Sequence, residues 1–179
     1  MRHDINEVLA RSECVFTREH IEQAISQMAE RIRKDCHERY PVFLTLMQGG
    51  MFFAAKLGLE LGFDAEFDYL HATRYRGETT GSGLAWLHRP ATILEGRTVL
   101  LVDDILDEGH TLKAVRDWCE DQGAAKVKIA VMCTKQHERC VPGLAADYNG
   151  LLVPDRYVFG YGMDINEHGR NLPGIYALT

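Results

Sequence analysis

Apolar residues recur along this chain with the spacings of helices and strands, and these spacings predict its elements. Between residues 17 and 39 five apolar residues recur at helical spacing, which predicts an amphipathic helix with Thr17 at its start and Pro41 beyond its end. These five residues are Ile21, Ala24, Ile25, Met28 and Ile32. The same periodicity predicts shorter helices at 51–61 and 111–122.

The predicted strands are nearly continuous apolar runs, as expected for parallel strands that are buried on both faces. They occupy residues 42–47, 65–71, 98–102 and 127–134, with shorter β-like segments at 151–153 and 157–161. Strands therefore alternate with helices, which predicts an α/β fold with a central parallel sheet flanked by helices. No repeat or linker divides the sequence, so we expect residues 1–179 to form a single domain.

Residues 72–90 interrupt the alternation of strands and helices. Gly77, Gly81 and Gly83 lie there among threonine and serine residues, and this composition predicts a loop. A loop of this length in a compact domain is either a lid over a site or a disordered excursion, and we expect a flexible lid.

The composition narrows the possible partners and compartments. The chain has 179 residues, 46% of them hydrophobic, and a formal net charge of −6, so it lacks the surplus of basic residues that neutralises a nucleic acid. No apolar run is long enough to span a membrane, and residues 1–5 lack the apolar stretch of a signal peptide. Five cysteines without a CxxC pair indicate reduced thiols. We therefore expect a cytoplasmic protein with no nucleic-acid or membrane partner.

A short acidic loop opens the helix predicted at 111–122, and it contains candidate anion-binding groups. Its residues are Asp107, Glu108, Gly109, His110 and Thr111. The backbone N–H groups of such a loop can converge on a phosphate at the helix N-terminus. Gly109 permits a positive φ, and the Thr111 hydroxyl is expected both to cap the helix and to donate to a phosphate. A plain helix cap explains the loop equally well when it is considered alone.

Asp103 and Asp104 end the apolar strand that precedes this loop. Adjacent carboxylates can accept hydrogen bonds from the 2′ and 3′ hydroxyls of a ribose, and with water they can hold a magnesium ion. The alternatives are a solvated strand end or the acidic metal pocket of another phosphotransfer protein, such as a receiver domain. A receiver domain would need an acidic pair near the N-terminus, where only Asp4 and Glu7 occur. The acids and the loop both follow predicted strands, where α/β sheets bind ligands.

Residues 99–112 resemble the phosphoribosyl-diphosphate signature of the type I phosphoribosyltransferases, with four apolar residues, two acids, two apolar residues and Asp-Glu-Gly-His-Thr. Further along, Lys135 and the segment 154–172 resemble the base-binding part of hypoxanthine-guanine phosphoribosyltransferases. Gln48-Gly49-Gly50 lies where that family binds pyrophosphate. The resemblance implies the type I phosphoribosyltransferase fold, with a small hood over the base site formed by about residues 154–179 with N-terminal contributions.

The resemblance also implies a role for each matching residue. Asp103 and Asp104 would bind the ribose, and residues 107–111 would bind the 5′-phosphate. Asp107 would act as the general base at purine N7, with a pKa raised by the neighbouring phosphate. The remaining contacts would be Gln48, Gly49 and Arg170 for pyrophosphate, Lys135, Tyr157, Val158 and Asp164 for the purine, and Asp103, Asp104 and Asp164 for Mg²⁺.

Two positions depart from some members of that family. Gln48 replaces a lysine, so a fixed positive charge is missing there; a cis peptide bond at this position would still let the Gly49 N–H bind pyrophosphate. In the lid, Arg74-Tyr75 stands where the family has Ser-Tyr. His110 is a candidate phosphate donor, and most of the other histidines are expected at the surface.

The resemblance implies an enzyme that transfers 5-phosphoribosyl from phosphoribosyl diphosphate to hypoxanthine or guanine, giving IMP or GMP and pyrophosphate. The alternatives are a phosphoribosyltransferase for xanthine or another base, a phosphoribosyl-diphosphate-sensing regulator, and a generic nucleotide-binding module. The generic module leaves the segment 154–172 unexplained. The family often forms dimers or tetramers, so a homodimer or homotetramer is expected.

Overall fold

The structure, a computed structural model, describes residues 4–37, 39–74 and 84–179. In chain order its elements are α1 (Ile5–Leu9), β1 (Ser12–Phe16), α2 (Arg18–Cys36), β2 (Val42–Leu46), α3 (Met51–Glu60), β3 (Glu66–Arg74), β4 (Leu84–His88), β5 (Thr98–Leu106), α4 (His110–Asp121), β6 (Lys126–Lys135), β7 (Tyr148–Val153), β8 (Val158–Phe159) and β9 (Ile175–Leu178).

Six strands form the central sheet in the order β4-β3-β2-β5-β6-β7. Every neighbouring pair from β3 to β7 is parallel, and β4 pairs antiparallel with β3 at the edge. The α/β fold class predicted from the sequence is therefore confirmed, with one antiparallel edge strand in addition to the parallel ones.

Helices cover both faces of this sheet, and consecutive residues of one strand enter different cores. Leu100 belongs to the core that contains Ile25 of α2 and Phe53 of α3, whereas Leu101 belongs to the core that contains Val115 of α4. Burial on both faces explains why the sequence of β5 is continuously apolar. Parallel pairing then brings the carboxyl ends of β2, β5 and β6 to the same edge of the sheet.

A smaller antiparallel sheet has the order β1-β9-β8, so a strand from the N-terminal part of the chain pairs with one from the C-terminal part. The segment after β8 lies against the segment after β2. A Cβ atom placed on Gly162 would overlap the carbonyl oxygen of Gly49. This close approach of two backbones fixes the smaller sheet beside the edge at which β2 and β5 end.

The bounds of several elements differ from the sequence predictions. The helix predicted over 17–39 spans Arg18–Cys36, and the strand predicted over 98–102 continues to Leu106. Asp103 and Asp104 therefore lie within β5 rather than beyond it. Parallel pairing of β5 with β6 explains the extension, since it continues to the pair Leu106–Thr134.

The prediction of a loop over 72–90 is wrong at both ends, because β3 continues to Arg74 and β4 begins at Leu84. Residues 75–83 lie outside the described residues, so the lid prediction is not tested there. The sequence analysis also did not predict α1, β1 or β9. Among the residues described, none of the helices has the length and apolar composition needed to cross a bilayer.

Candidate active site

One cavity of about 770 Å³ opens at the carboxyl edge of the central sheet. The acidic pair Asp103–Asp104 and the loop 107–111 both line it. Gln48, Gly49 and Arg170 line the same cavity, from the segments after β2 and β8. The residues predicted for ribose, phosphate and pyrophosphate thus face one space of the size that small-molecule sites usually have.

The loop 107–111 is held in place by its own backbone and by a later segment. Gly109 has a φ of 79° at the N-cap of α4, as its residue type suggested. The Val141 N–H donates to the Glu108 carbonyl oxygen at 2.9 Å, which fastens the loop to the chain after β6. Thr111 does not cap the helix as expected, because α4 already begins at His110. The Thr111 side chain is therefore free of a capping role.

Asp103 and Asp104 lie side by side on the cavity wall, and the Asp104 N–H donates to Asp103 Oδ1 at 2.9 Å. Removal from water disfavours the charged form of each carboxyl group. It raises the pKa of Asp104 to about 6 and, with the neighbouring Asp104 charge, holds the pKa of Asp103 well above its ordinary value. This pair needs a hydrogen-bond donor or a cation to be stable in its doubly charged form.

The segment after β2 approaches this acidic pair closely. The peptide bond between Met47 and Gln48 is cis. A Cβ atom on Gly49 would overlap the carboxylate of Asp104, so only glycine fits at this position. The backbone of Gly49 therefore lies against the acidic pair, and Gly49 lines the cavity.

A second cavity, of about 220 Å³, adjoins the first. Asp104, Ile105 and Asp107 line both cavities. The second cavity is otherwise lined by Lys135, Tyr157, Val158, Met163 and Asp164. The residues predicted for the purine thus come together next to the residues predicted for the sugar phosphate, and Asp107 lies at the junction.

Asp107 has a cationic or hydrogen-bonding partner at each carboxylate oxygen. Lys135 Nζ donates to Oδ2 at 2.5 Å, and His137 Nε2 lies 2.6 Å from Oδ1. Burial alone would raise the pKa of Asp107, but the hydrogen bonds from Lys135 and His137 outweigh it and hold the pKa below its ordinary value. The prediction that a neighbouring phosphate raises this pKa concerns the substrate-bound protein and is not tested here, and the sequence did not reveal the two donors that lower it.

Arg170 and Asp164 form an ion pair beside both cavities, with Arg170 Nη2 and Asp164 Oδ1 separated by 2.9 Å. Arg170 Nη1 also donates to the Gly162 carbonyl oxygen at 2.8 Å, and the Glu167 N–H donates to Asp164 Oδ2 at 2.9 Å. Tyr157 is half exposed, and its hydroxyl donates to the Asp164 carbonyl oxygen at 3.1 Å. These bonds give the segment after β8 a fixed shape.

The predicted metal ligands are not assembled as a three-carboxylate cage. Among residues 4–37, 39–74 and 84–179 no three His, Cys, Asp or Glu side chains form a metal-binding group. Asp164 is paired with Arg170, and its charge also contributes to the raised pKa of Asp104. The acidic pair by itself matches the way proteins hold Mg²⁺, through one or two carboxylates together with substrate phosphates.

The sequence analysis missed His137, which contacts Asp107. Its side chain is only 4% exposed, so the expectation that it lies at the surface is wrong. The sequence offered one signal for His137, namely its position two residues after Lys135. Two residues this close in the chain can reach the same partner, here Asp107. Ile105 and Met163 line the second cavity, which we call the purine-side cavity after the residues predicted to contact the purine. Neither residue had a distinguishing pattern in the sequence.

Comparison with known proteins agrees with this arrangement. A model of the phosphoribosyl transferase domain matches residues 14–168. The chain is 34% identical over 179 residues to the hypoxanthine-guanine phosphoribosyltransferase of Streptococcus pneumoniae, covering 99% of this chain and 96% of that protein. It is 30% identical over 178 residues to the hypoxanthine-guanine-xanthine phosphoribosyltransferase of Tritrichomonas foetus, covering 99% and 94%.

The fold is also similar to that of a solved hypoxanthine phosphoribosyltransferase from Staphylococcus aureus. The TM-score is 0.89 at 24% identity, and the match covers 100% of this chain and 97% of that one. Sequence and fold point to the same group of proteins over nearly their whole length. This chain therefore belongs to the phosphoribosyl transferase domain family, among the hypoxanthine-guanine phosphoribosyltransferases.

Proposed function

We propose that this protein is a purine salvage enzyme that transfers 5-phosphoribosyl from phosphoribosyl diphosphate to hypoxanthine or guanine, giving IMP or GMP and pyrophosphate. One observation carries the proposal. Asp107 lies where a cavity suited to a sugar phosphate meets a smaller cavity lined by Lys135 and Tyr157. A group at that junction is within reach of both reactants, as bond formation between them requires.

The larger cavity would hold phosphoribosyl diphosphate. The N–H groups of residues 107–111 would bind the 5′-phosphate at the positive end of α4, with Thr111 and His110 as side-chain donors. Asp103 and Asp104 would accept the ribose hydroxyls. Gln48, Gly49 and Arg170 would contact the diphosphate.

Mg²⁺ is the proposed metal, with Asp103 and Asp104 holding it directly or through water. The two carboxylates fit it, since a buried acidic pair is stabilised by a divalent cation. When bound, Mg²⁺ would neutralise charge on the leaving diphosphate. Asp164, which is paired with Arg170 and lines the smaller cavity, would be a further ligand of Mg²⁺ and would lie beside the purine.

The smaller cavity would hold the purine. Lys135 would donate to the 6-oxo group, which favours a 6-oxopurine over adenine because the amino group of adenine at that position donates hydrogen bonds and does not accept them. Tyr157 would stack on the ring, and the main-chain groups of Val158 would meet its edge.

Asp107 is the proposed general base. As a purine nitrogen bonds to the anomeric carbon, the bond from that carbon to pyrophosphate breaks and a proton must leave the purine. The carboxylate of Asp107 would accept this proton at N7, and its negative charge would stabilise the positive charge that develops on the ribose. In the protein without substrate, the hydrogen bonds from Lys135 and His137 lower the pKa of Asp107 and keep it charged.

Asp107→Asn tests this assignment, because the amide has the same shape but cannot accept the proton. Pyrophosphate release would be measured with phosphoribosyl diphosphate, Mg²⁺ and each of hypoxanthine, guanine, xanthine and adenine. We expect the turnover number with hypoxanthine to fall about 10²- to 10⁴-fold with unchanged folding. Asp121→Asn, at an exposed position at the end of α4, is the control. Near-full turnover of Asp107→Asn would exclude Asp107 as the base.

Two further expectations remain part of this proposal. The connection between β3 and β4, which lies within the predicted lid at 72–90, would close over the bound substrates and exclude water from the reactive ribosyl cation. The protein would act in the cytoplasm as a homodimer or homotetramer. A preference for xanthine is the second candidate activity, because the Tritrichomonas foetus relative carries xanthine in its name.

A further inference from the structure

His137 lies on the turn that follows β6, and its backbone is fixed there. The His137 N–H donates to the Lys135 carbonyl oxygen at 3.1 Å, and the preceding Gln136 N–H donates to the Val153 carbonyl oxygen at 2.9 Å. The side chain is almost fully buried, although it belongs to a turn. A buried imidazole on a turn needs polar partners for both ring nitrogens, and this one has them.

The hydrogen bonds of the ring determine which nitrogen carries the proton. The Arg139 N–H donates to His137 Nδ1 at 3.0 Å. A nitrogen that accepts a hydrogen bond has no proton, so the ring proton is on Nε2. Nε2 lies 2.6 Å from Asp107 Oδ1 and therefore donates to it.

The residue that sets this tautomer is itself held by a two-fold ion pair. Arg139 Nη1 and Nη2 donate to Asp155 Oδ2 and Oδ1 at 2.8 and 2.7 Å. Bidentate pairs of this kind fix orientation as well as distance. A continuous chain of contacts thus runs from Asp155 through Arg139 and His137 to Asp107.

We propose that His137 is a positioning residue for Asp107, a proposal that rests on the function proposed above. His137 would hold Oδ1 of Asp107, while Oδ2 would lose its hydrogen bond from Lys135 and accept the purine proton. In the protein without substrate both oxygens are occupied. When Lys135 donates to the purine 6-oxo group instead, Oδ2 becomes free. His137 then remains the one described side chain that keeps the carboxylate from rotating.

The charged groups around Asp107 agree with separate roles for its two carboxylate oxygens. Lys135, His137 and the guanidinium of Arg139 act on it from the β6 side, and Glu108 is its neighbour on the loop. The donation from His137 lowers the pKa of Asp107 and so favours its charged form. Loss of that donation would move the acid limb of the pH profile of kcat/KM to higher pH.

The matched pair His137→Gln and His137→Met tests the proposal. The two side chains have nearly the same size, but only glutamine offers an N–H near the position of Nε2. We expect His137→Gln to keep kcat within about threefold of the wild type. We expect His137→Met to lose roughly 10- to 100-fold in kcat, with KM for hypoxanthine within about threefold, since a misplaced catalytic group affects the transition state and not substrate binding. Its acid limb would move to higher pH. Glu138→Ala, exposed on the same turn, is the control.

A loss shared equally by both variants, or a change confined to KM, would overturn the proposal and leave a structural role. Should either variant fold poorly, nitrogen NMR of His137 in the wild-type protein decides the question. A proton on Nδ1 rather than Nε2 would also overturn it. A wild-type protein that released no pyrophosphate with any purine would instead refute the proposed function, so the two failures are distinguishable.

Discussion

Lys135 has one partner in the free protein and would have another when a purine is bound. Its side chain is only 13% exposed and donates to Asp107, so its charge is already paired at the wall of the purine-side cavity. Recognition of a 6-oxo group would exchange one hydrogen bond for another. The exchange keeps a buried ammonium satisfied at each stage, which limits its energetic cost.

Lys135→Ala should therefore weaken discrimination more than folding. We expect kcat/KM for hypoxanthine to fall roughly 5- to 150-fold, which corresponds to about 1–3 kcal/mol of transition-state stabilisation, while the low rate with adenine changes little. Initial rates with both bases give the ratio directly. Lys113→Ala is the matched control, because Lys113 pairs with Asp117 on α4 at 2.5 Å. If the ratio of kcat/KM for hypoxanthine to kcat/KM for adenine were unchanged, Lys135 would have no role in purine recognition.

The pKa of Asp104 predicts how the stability of the unliganded protein depends on pH. Its pKa is about 6 in the folded protein and near the ordinary 3.8 when unfolded, so the folded state binds more protons between these values. The stabilisation from the protonated form is complete below about pH 4 and is lost as pH rises through about 6.

Asp104→Asn carries no charge at this position. Its free energy of unfolding should thus exceed that of the wild type by about 1–3 kcal/mol near pH 8 and differ little near pH 4. Urea denaturation at both pH values measures this. Asp68→Asn should behave in the opposite way. Although burial raises the pKa of Asp68, its carboxylate accepts hydrogen bonds from the backbone N–H groups of Thr92, Tyr69 and Ala91, and these outweigh burial and lower the pKa. If Asp104→Asn were less stable at pH 8, the acidic pair would not be strained by its own charge.

At the level of secondary structure, the segment after β2 and the end of β5 fit together only because residue 49 is glycine. Gly49→Ala would place a Cβ atom in the carboxylate of Asp104. We expect a loss of about 1–3 kcal/mol in unfolding free energy and a roughly tenfold loss of phosphoribosyl-diphosphate affinity. Denaturation and titration calorimetry measure the two effects.

The control for this clash is Gly96→Ala. Gly96 has a φ of 69°, which disfavours alanine, but a Cβ atom there would meet no atom within 4 Å. It should lose about 1–2 kcal/mol of stability from backbone conformation and none of the substrate affinity. Equal loss of affinity in both variants would mean that the Gly49 effect is not local to the acidic pair.

The elements that could be predicted from the sequence are those whose burial is visible in a single segment. β2, β5 and β6 are buried on both faces, so their apolar runs reveal them. β1 and β9 are short and half-exposed strands that are defined by pairing with each other across nearly the whole chain. No local pattern encodes such a pairing, which explains why both were missed.

The same distinction applies to the candidate site. The acids and the loop of 103–111 are contiguous and follow a buried strand, so a sequence pattern can identify them. The contact of His137 with Asp107 joins residues 30 positions apart on different elements. The pKa of Asp107 is lowered by Lys135 and His137 together, and both contacts join residues that are distant in the sequence.

For the molecule as a whole, α3 and β3 present apolar side chains to solvent. Leu59 is 86% exposed and Phe67 is 58% exposed, and Met51 and Tyr69 are also exposed. Clustered exposed apolar residues mark surfaces that associate with other proteins. A second copy of this chain is the partner that the proposed homodimer or homotetramer supplies.

Leu59→Glu should therefore reduce the molecular mass observed by analytical ultracentrifugation at micromolar concentration, because association would bury a charge. Ile93→Glu is the control, since Ile93 is 76% exposed but belongs to neither α3 nor β3. The two variants should have similar thermal midpoints. An unchanged assembly in Leu59→Glu would place the interface elsewhere on the molecule.

The position of β9 in the middle of the smaller sheet has a consequence for biosynthesis. The ribosome releases β5 and α4 well before residues 175–178, so the acidic pair and the loop 107–111 are available while the chain is still growing, and Arg170 completes the larger cavity later. Val158, which lines the purine-side cavity, pairs with Ala177 of β9 and must wait for it. A chain that ends before β9 is thus expected to bind phosphoribosyl diphosphate but not to transfer the phosphoribosyl group to a purine.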